Sequence, residues 1–159
     1  MGRSGDVFRR PRLGPCSAMK PAIRSQFVEE MRLLARAKEL VEAGWCQNGL
    51  ARDAHGRLVE PWSAGACSWS PVGALLKAWL DAGDDAGRAF HIAYEALSLA
   101  TGGRLEEWNG ARWRTKEHVE NAFLRASSYA PGVRRRLAAT EAETERSSAA
   151  PAARRAAAA

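Results

Sequence analysis

The side chains of this 159-residue chain best suited to holding a metal or attacking a substrate are Cys46, Cys67, His55, His91 and His118, with Cys16 near the start. No two of the first five stand at the close spacing of a zinc knuckle or the three-to-four residue spacing of a helical metal site, so the sequence predicts neither metal nor cofactor. Nucleophilic catalysis needs a Ser or Cys framed against a His and a carboxylate, and no Gly-x-Ser-x-Gly elbow frames one. Gly102-Gly103-Arg104 lacks the length and the lysine of a phosphate loop. No catalytic residue is assigned, and the reading leans away from an enzyme.

Two constellations could still recognise a ligand or a partner. Arg52 and Asp53 bring a guanidinium and a carboxylate to one short segment; the competing reading makes Asp53 the acceptor of its own turn and Arg52 a solvated strand-end charge. Trp108, Asn109, Arg114 and Thr115 combine an aromatic surface, an amide and a cation just before an expected helix start, where N–H groups and the helix dipole suit an anion. The competing reading puts Trp108 in the core, makes Asn109-Gly110 a turn and Thr115 a cap, and has Arg114 pair locally. Trp45 joins these as a candidate contact residue.

The elements that must position these groups are mostly helical. From Pro21 to Ala43, Phe27, Met31, Leu33, Leu34, Ala37, Leu40 and Val41 form one stripe and Glu29, Arg32, Arg36 and Glu39 the opposite face, with Gly44 as the stop. Trp45–Arg52 and Arg57–Trp62 read as strands around Asp53-Ala54-His55-Gly56, which has Asp first and Gly fourth as a type I turn prefers. Ser70 and Pro71 start a helix with Val72, Leu75, Leu76, Trp79 and Leu80 inward, ending near Ala82.

Asp84 or Asp85 is the expected cap of the next helix. Its inward stripe is Ala89, Phe90, Ala93, Ala96, Leu97 and Ala100, and Thr101-Gly102-Gly103 ends it. A short turn over Leu105–Trp108 precedes a last helix capped by Thr115, with Val119, Ala122, Phe123, Ala126 and Tyr129 on its apolar side and Pro131-Gly132 as its stop.

Charge and composition set the frame around these elements. The net charge of +6 resides in the ends: the first twenty residues carry +4, residues 133 to 159 carry +3, and the stretch between them carries −1. Arg9, Arg10, Arg12 and Arg134, Arg135 and Arg136 are therefore candidate phosphate contacts, with solubilising termini as the competing reading. Three sparse cysteines fit a reducing compartment, no apolar run reaches the roughly 20 residues of a membrane span, and no apolar stretch follows the early arginines as in an export signal. A cytoplasmic protein is expected, and Met19 is an alternative beginning.

All six tryptophans lie between Trp45 and Trp113. The order Gly44-Trp45-x-Gln47, Ala51-Arg52-Asp53-x-x-Gly56-Arg57, Trp69-x-x-x-Gly73-Ala74-Leu75 and Trp108-Asn109 followed by Arg114-Thr115 and Val119 resembles an uncharacterised domain family of small bacterial and phage proteins, over roughly residues 28 to 127. The resemblance implies no activity. Members often carry Trp-Cys where this chain has Trp69-Ser70, and Trp-Asn-Asp where it has Trp108-Asn109-Gly110; any chemistry of that Cys or Asp is lost here.

The expected architecture is mainly α: a compact bundle of about four helices with one β-hairpin inserted at about residues 45–62, spanning residues 21–132. A basic mobile arm over 1–20 and a disordered Arg/Ala-rich tail over 133–159 flank it. The expected role is a non-enzymatic accessory or protein-interaction module with no membrane contact. The alternative is a nucleic-acid-associated protein gripping phosphates through its tails. A third reading is a small-anion binder or enzyme using Arg52, Asp53, Asn109 and Arg114.

Overall fold

Helix α1 (Pro21–Ala43) forms where the apolar spacing predicts it, and turns Leu33, Leu34, Ala37, Leu40 and Val41 into the core while Arg32, Arg36 and Glu39 face water. The computed structural model describes residues 21–83 and 86–156, with side chains from residue 29 to residue 148. Phe27, the arm over 1–20 and the expected caps Asp84 and Asp85 lie outside the described residues or side chains.

After Gly44 the chain makes a small antiparallel sheet of β1 (Ala51–Asp53), β2 (Leu58–Val59) and β3 (Ala66–Trp69) in the order β2-β1-β3. The hairpin turns where expected. Gly56 N–H donates to Asp53 O at 2.9 Å, Asp53 N–H donates to Arg57 O at 3.0 Å, and Gly56 takes the left-handed φ of +76° that suits a residue without Cβ. The third strand was not expected: β3 pairs with β1 from Ala51↔Trp69 to Asp53↔Ala66, and Trp45 adds a parallel bridge to Trp69. The first expected strand is correspondingly shorter, because Gln47–Leu50 bend rather than extend.

Ser70 caps α2 (Pro71–Ala82), its hydroxyl accepting from Gly73 N–H at 3.1 Å, a contribution of about 1 kcal/mol. Val72, Ala74, Leu75 and Ala78 are buried, but Leu80, expected inside, is exposed. The inward face of α2 runs through positions 71, 74, 75 and 78, which leaves 80 on the far side. Helix α3 (Gly87–Thr101) buries Ala89, Ile92, Ala93, Ala96, Leu97 and Ala100, then stops at left-handed Gly102, with Gly103 N–H donating to Ser98 O at 2.8 Å.

Where a turn was expected, Leu105–Gly110 form the short helix α4, anchored by buried Leu105. Thr115 then starts α5 (Lys116–Ala156), its hydroxyl accepting from His118 N–H at 3.4 Å while His118 Nδ1 accepts from Thr115 N–H at 3.2 Å. This reciprocal arrangement has the logic of a capping box, with His in the usual place of Glu.

Helix α5 departs from its expected end. It passes through Pro131-Gly132 rather than stopping there, although proline removes one helical N–H bond and crowds the preceding turn. Packing on both sides offsets that cost: Ala130 and Val133 are fully buried, Leu137 packs against the core, and Arg134 and Arg136 reach acids on other helices. The stretch expected to be a disordered tail thus holds helix as far as Ala156. Tyr129, placed on the apolar side from sequence, is exposed, since the buried ridge follows 119, 122, 126, 130 and 133. The core lies where α1, α2, α3 and α5 meet, around Leu33, Leu75, Ile92, Leu97 and Phe123.

Candidate functional site

Trp45, Gln47, Arg52 and Asn109, all motif residues, meet in one hydrogen-bonded corner that locks the segment after α1 against α4. Asn109, 3% exposed, accepts from Trp45 Nε1 at 2.9 Å and donates through Nδ2 to Cys46 O at 3.1 Å. Gln47 Nε2 donates to Asn109 O at 2.6 Å and to Ala111 O at 3.0 Å. Arg52 then holds the bend itself, donating to Gly56 O, Asn48 O and Gln47 O at 2.7, 3.1 and 3.2 Å. A chain of side chains runs from the hairpin to α4 with every member engaged.

Two glycines of the same corner permit backbone contact. A Cβ on Gly44 would lie 2.1 Å from Cys67 O, and one on Gly73 would lie 1.8 Å from Leu50 O. Trp69 completes the frame, donating its Nε1 to Pro61 O at 2.9 Å. Asp53 Oδ1 accepts from His55 N–H and Arg57 N–H, both at 2.9 Å, and Oδ2 from Arg57 Nε at 2.7 Å. The Arg57 hydrogen bond, aided by those backbone donors, holds the Asp53 carboxyl below its usual range.

Of the seven expected contact residues, Trp45, Asn109 and, through Gln47, Arg52 are joined in this corner, while Asp53 closes the turn and Thr115 caps α5. Arg114 is different. It is 8% exposed and its guanidinium lies 3.5 Å from the Trp108 ring centroid and 4.1 Å from that of Trp113, with Nε donating to Trp108 O at 2.9 Å. That clamp spends only Nε; the Nη donors have no partner among the described residues. Burial, then the like charge of Arg125, push the Arg114 pKa down.

Arg114 and Arg125 line a hollow of about 360 Å³ with Trp108, His118, Asn121 and Leu124, a set without a carboxylate. Trp113, unremarked in the sequence, stands at its edge 67% exposed, its ring against His118 at 5.8 Å between centroids. A second hollow of about 280 Å³ runs over Asn48, Leu50, Pro71, Val72, Leu105, Glu106 and Asn109. Arg52 and Asp53 line neither, so neither of these hollows brings together the four residues of the anion-binding or enzymatic reading.

The expected phosphate contacts separate in the same way. Arg134 lies 3.8 Å from Glu30, Arg136 donates to Glu95 at 2.6 Å, Arg135 has no ion pair among the described residues, and Arg9 and Arg10 lie outside them. Glu30 is fully buried with no hydrogen bond to either carboxylate oxygen, and burial raises its pKa against the weaker pull of Arg134 and Arg88. Its position was legible, since 30 continues the buried series 33, 34, 37 and 41; its partners, which arrive from α3 and α5, were not.

A raised carboxyl pKa stabilises the fold fully below the ordinary value of 4.5 and loses that contribution as pH rises through the folded-state value. Denaturant midpoints measured from pH 4 to pH 8 are therefore expected to show Glu30→Gln gaining on the unsubstituted chain as pH rises above about 4.5. Parallel profiles for the two chains would contradict a Glu30 carboxyl whose pKa burial raises.

Among the described residues no three His, Cys, Asp or Glu cluster as metal ligands, and no helix is long and apolar enough to cross a membrane. Cys46 is buried, which pushes its thiol pKa up, whereas Cys67 is exposed. No curated protein and no solved structure matches the chain. A profile described as "Family of unknown function (DUF6197)" matches residues 28–129, a stretch that runs from α1 through the corner and the first third of α5. The chain belongs to this family of unknown function.

Proposed function

We propose that this protein is a small non-enzymatic binding module that meets its partner at the junction of α4 and α5. The observation that carries the reading is the exposure of Trp113, at 67%, beside a guanidinium already clamped in place. An exposed indole costs the free protein solvation of a large apolar ring, and Trp and Arg dominate binding hot spots. The remaining motif residues support a structural role: Asn109, Gln47, Arg52 and Asp53 are consumed by internal hydrogen bonds and offer no group to a substrate.

A photo-crosslinking residue placed at Trp113, in full-length protein expressed in its native cells, is expected to capture a partner. The same residue at Trp62, 54% exposed in the segment between β2 and β3, is expected to capture none. No capture at 113, or equal capture at both positions, would sink the reading.

A further inference from the structure

The exposed face of α5 continues the α4–α5 junction as a line of arginines and rings. His118, Asn121, Arg125, Tyr129 and Gly132 recur at three- and four-residue steps, which places them on one side of the helix. Beyond the hollow at Arg114 and Arg125, a third hollow of about 370 Å³ on this face is lined by Leu99, Tyr129, Gly132, Val133, Arg135 and Arg136. From His118 to Arg135 the face runs about 25 Å at helical rise.

Its charge is one-sided. Neither of the two hollows along α5 is lined by an acid, and Arg112, Arg125 and Arg135 have no ion pair among the described residues, while most cations elsewhere do. Exposed Glu117 lies in the first turn of α5, Glu120 pairs with Lys116, and Glu95 reaches the lining residue Arg136 and neutralises it, which leaves Arg125 and Arg135 as unpaired cations of the two hollows. Opposing Arg125 to a sandwiched Arg114 is electrostatically unfavourable until an anion lies between them.

Resting on the reading above, we infer that this face binds single-stranded nucleic acid, with phosphates at Arg114, Arg125 and Arg135 and unpaired bases stacked on Trp113 and Tyr129. An acidic peptide would satisfy the arginines but leave the rings without a partner. Bases supply flat π faces at each backbone phosphate, which is the pairing of needs that the interleaved residues present. A duplex keeps its bases stacked on one another and cannot use the rings.

The test is fluorescence anisotropy of full-length protein with a labelled mixed-sequence oligonucleotide of about 12 nucleotides, single-stranded or as duplex, and with a labelled polyglutamate peptide. The three arginines give an expected slope of log K on log salt near −2.1, so affinity should fall about 20-fold from about 50 to about 200 mM salt. Arg125→Gln and Arg135→Gln should each make that slope shallower by about 0.7. Trp113→Ala should weaken single-strand binding about tenfold or more, with Trp62→Ala unchanged.

Binding that ignores Trp113→Ala and both arginine variants would assign the affinity to the chain ends and overturn the inference. Preference for polyglutamate or duplex, or no binding to any probe, would overturn it too. Crosslinking of a protein at position 113 together with those negative results would leave the α4–α5 binding reading standing while this inference fails.

Discussion

Gly73→Ala is expected to destabilise the fold by about 3 kcal/mol or more, the upper end for adding one methyl group to a packed interior. The added Cβ would sit 1.8 Å from Leu50 O and 2.6 Å from Leu50 C, inside any tolerable separation. Neither side can yield cheaply. Leu50 O accepts Ser70 N–H at 2.9 Å, Ser70 in turn caps Gly73 N–H, and Ala51, the next residue, is fully buried at the head of the central strand. Relief requires the start of α2 to retreat from the Leu50 backbone, which breaks the Ser70 N–H bond to Leu50 O that ties the helix cap to the segment before β1.

Helix propensity works the other way, favouring alanine over glycine by up to about 1 kcal/mol, so any measured loss understates the clash. Urea midpoints with an unchanged slope would report it. Gly87→Ala is the control, because Gly87 also lies in a first helical turn but a Cβ there meets nothing within 4 Å. It should be neutral or slightly stabilising. If the two variants unfold at the same denaturant concentration, the backbone approach at Gly73 does not exist in solution.

How much of this was readable in advance depended on whether the cause was local. The α1 stripe, the Ser70-Pro71 start of α2, the Gly102-Gly103 stop and the Asp53–Gly56 turn all appear as expected, because each is fixed by residues within a few positions of one another. Strand β3 was not, since Ala66-Cys67-Ser68-Trp69 has no apolar alternation and extends only because β1 offers it a ladder. Pro131 likewise misled: its local cost is real, but buried Val133 and the Arg134 and Arg136 pairs are tertiary.

The candidate site divides along the same line. Trp108, Asn109, Arg114 and Thr115 were picked out by type, yet type could not say that Asn109 would be enclosed and Trp113 left in water. The enclosure of Asn109 is set by how α4 meets the segment after α1, and the exposure of Trp113, whose ring meets Arg114 and His118, by the link from α4 to α5; no spacing within either segment encodes them.

That junction is where a second large loss is expected. Asn109 is the one side chain that gives Trp45 Nε1 an acceptor and Cys46 O a donor at once, in a position 3% exposed. Asn109→Ala leaves the buried Cys46 O and the half-buried Trp45 N–H without that partner and opens a small cavity, for an expected cost of about 2 to 4 kcal/mol. Asn109→Asp keeps the shape and still accepts from Trp45, but turns a carboxylate oxygen toward the Cys46 carbonyl. Its cost should reach about 3 kcal/mol or more at pH 7 and shrink as pH falls and the acid regains a proton able to donate to Cys46 O. Trp45→Phe removes the other end of the bond. Combined with Asn109→Ala it should cost less than the two single losses added together, by about 1 kcal/mol, because the indole N–H that was stranded is then gone. Additive losses in that cycle, or an Asn109→Asp variant indifferent to pH, would mean that Asn109 fills space at the corner without bonding across it.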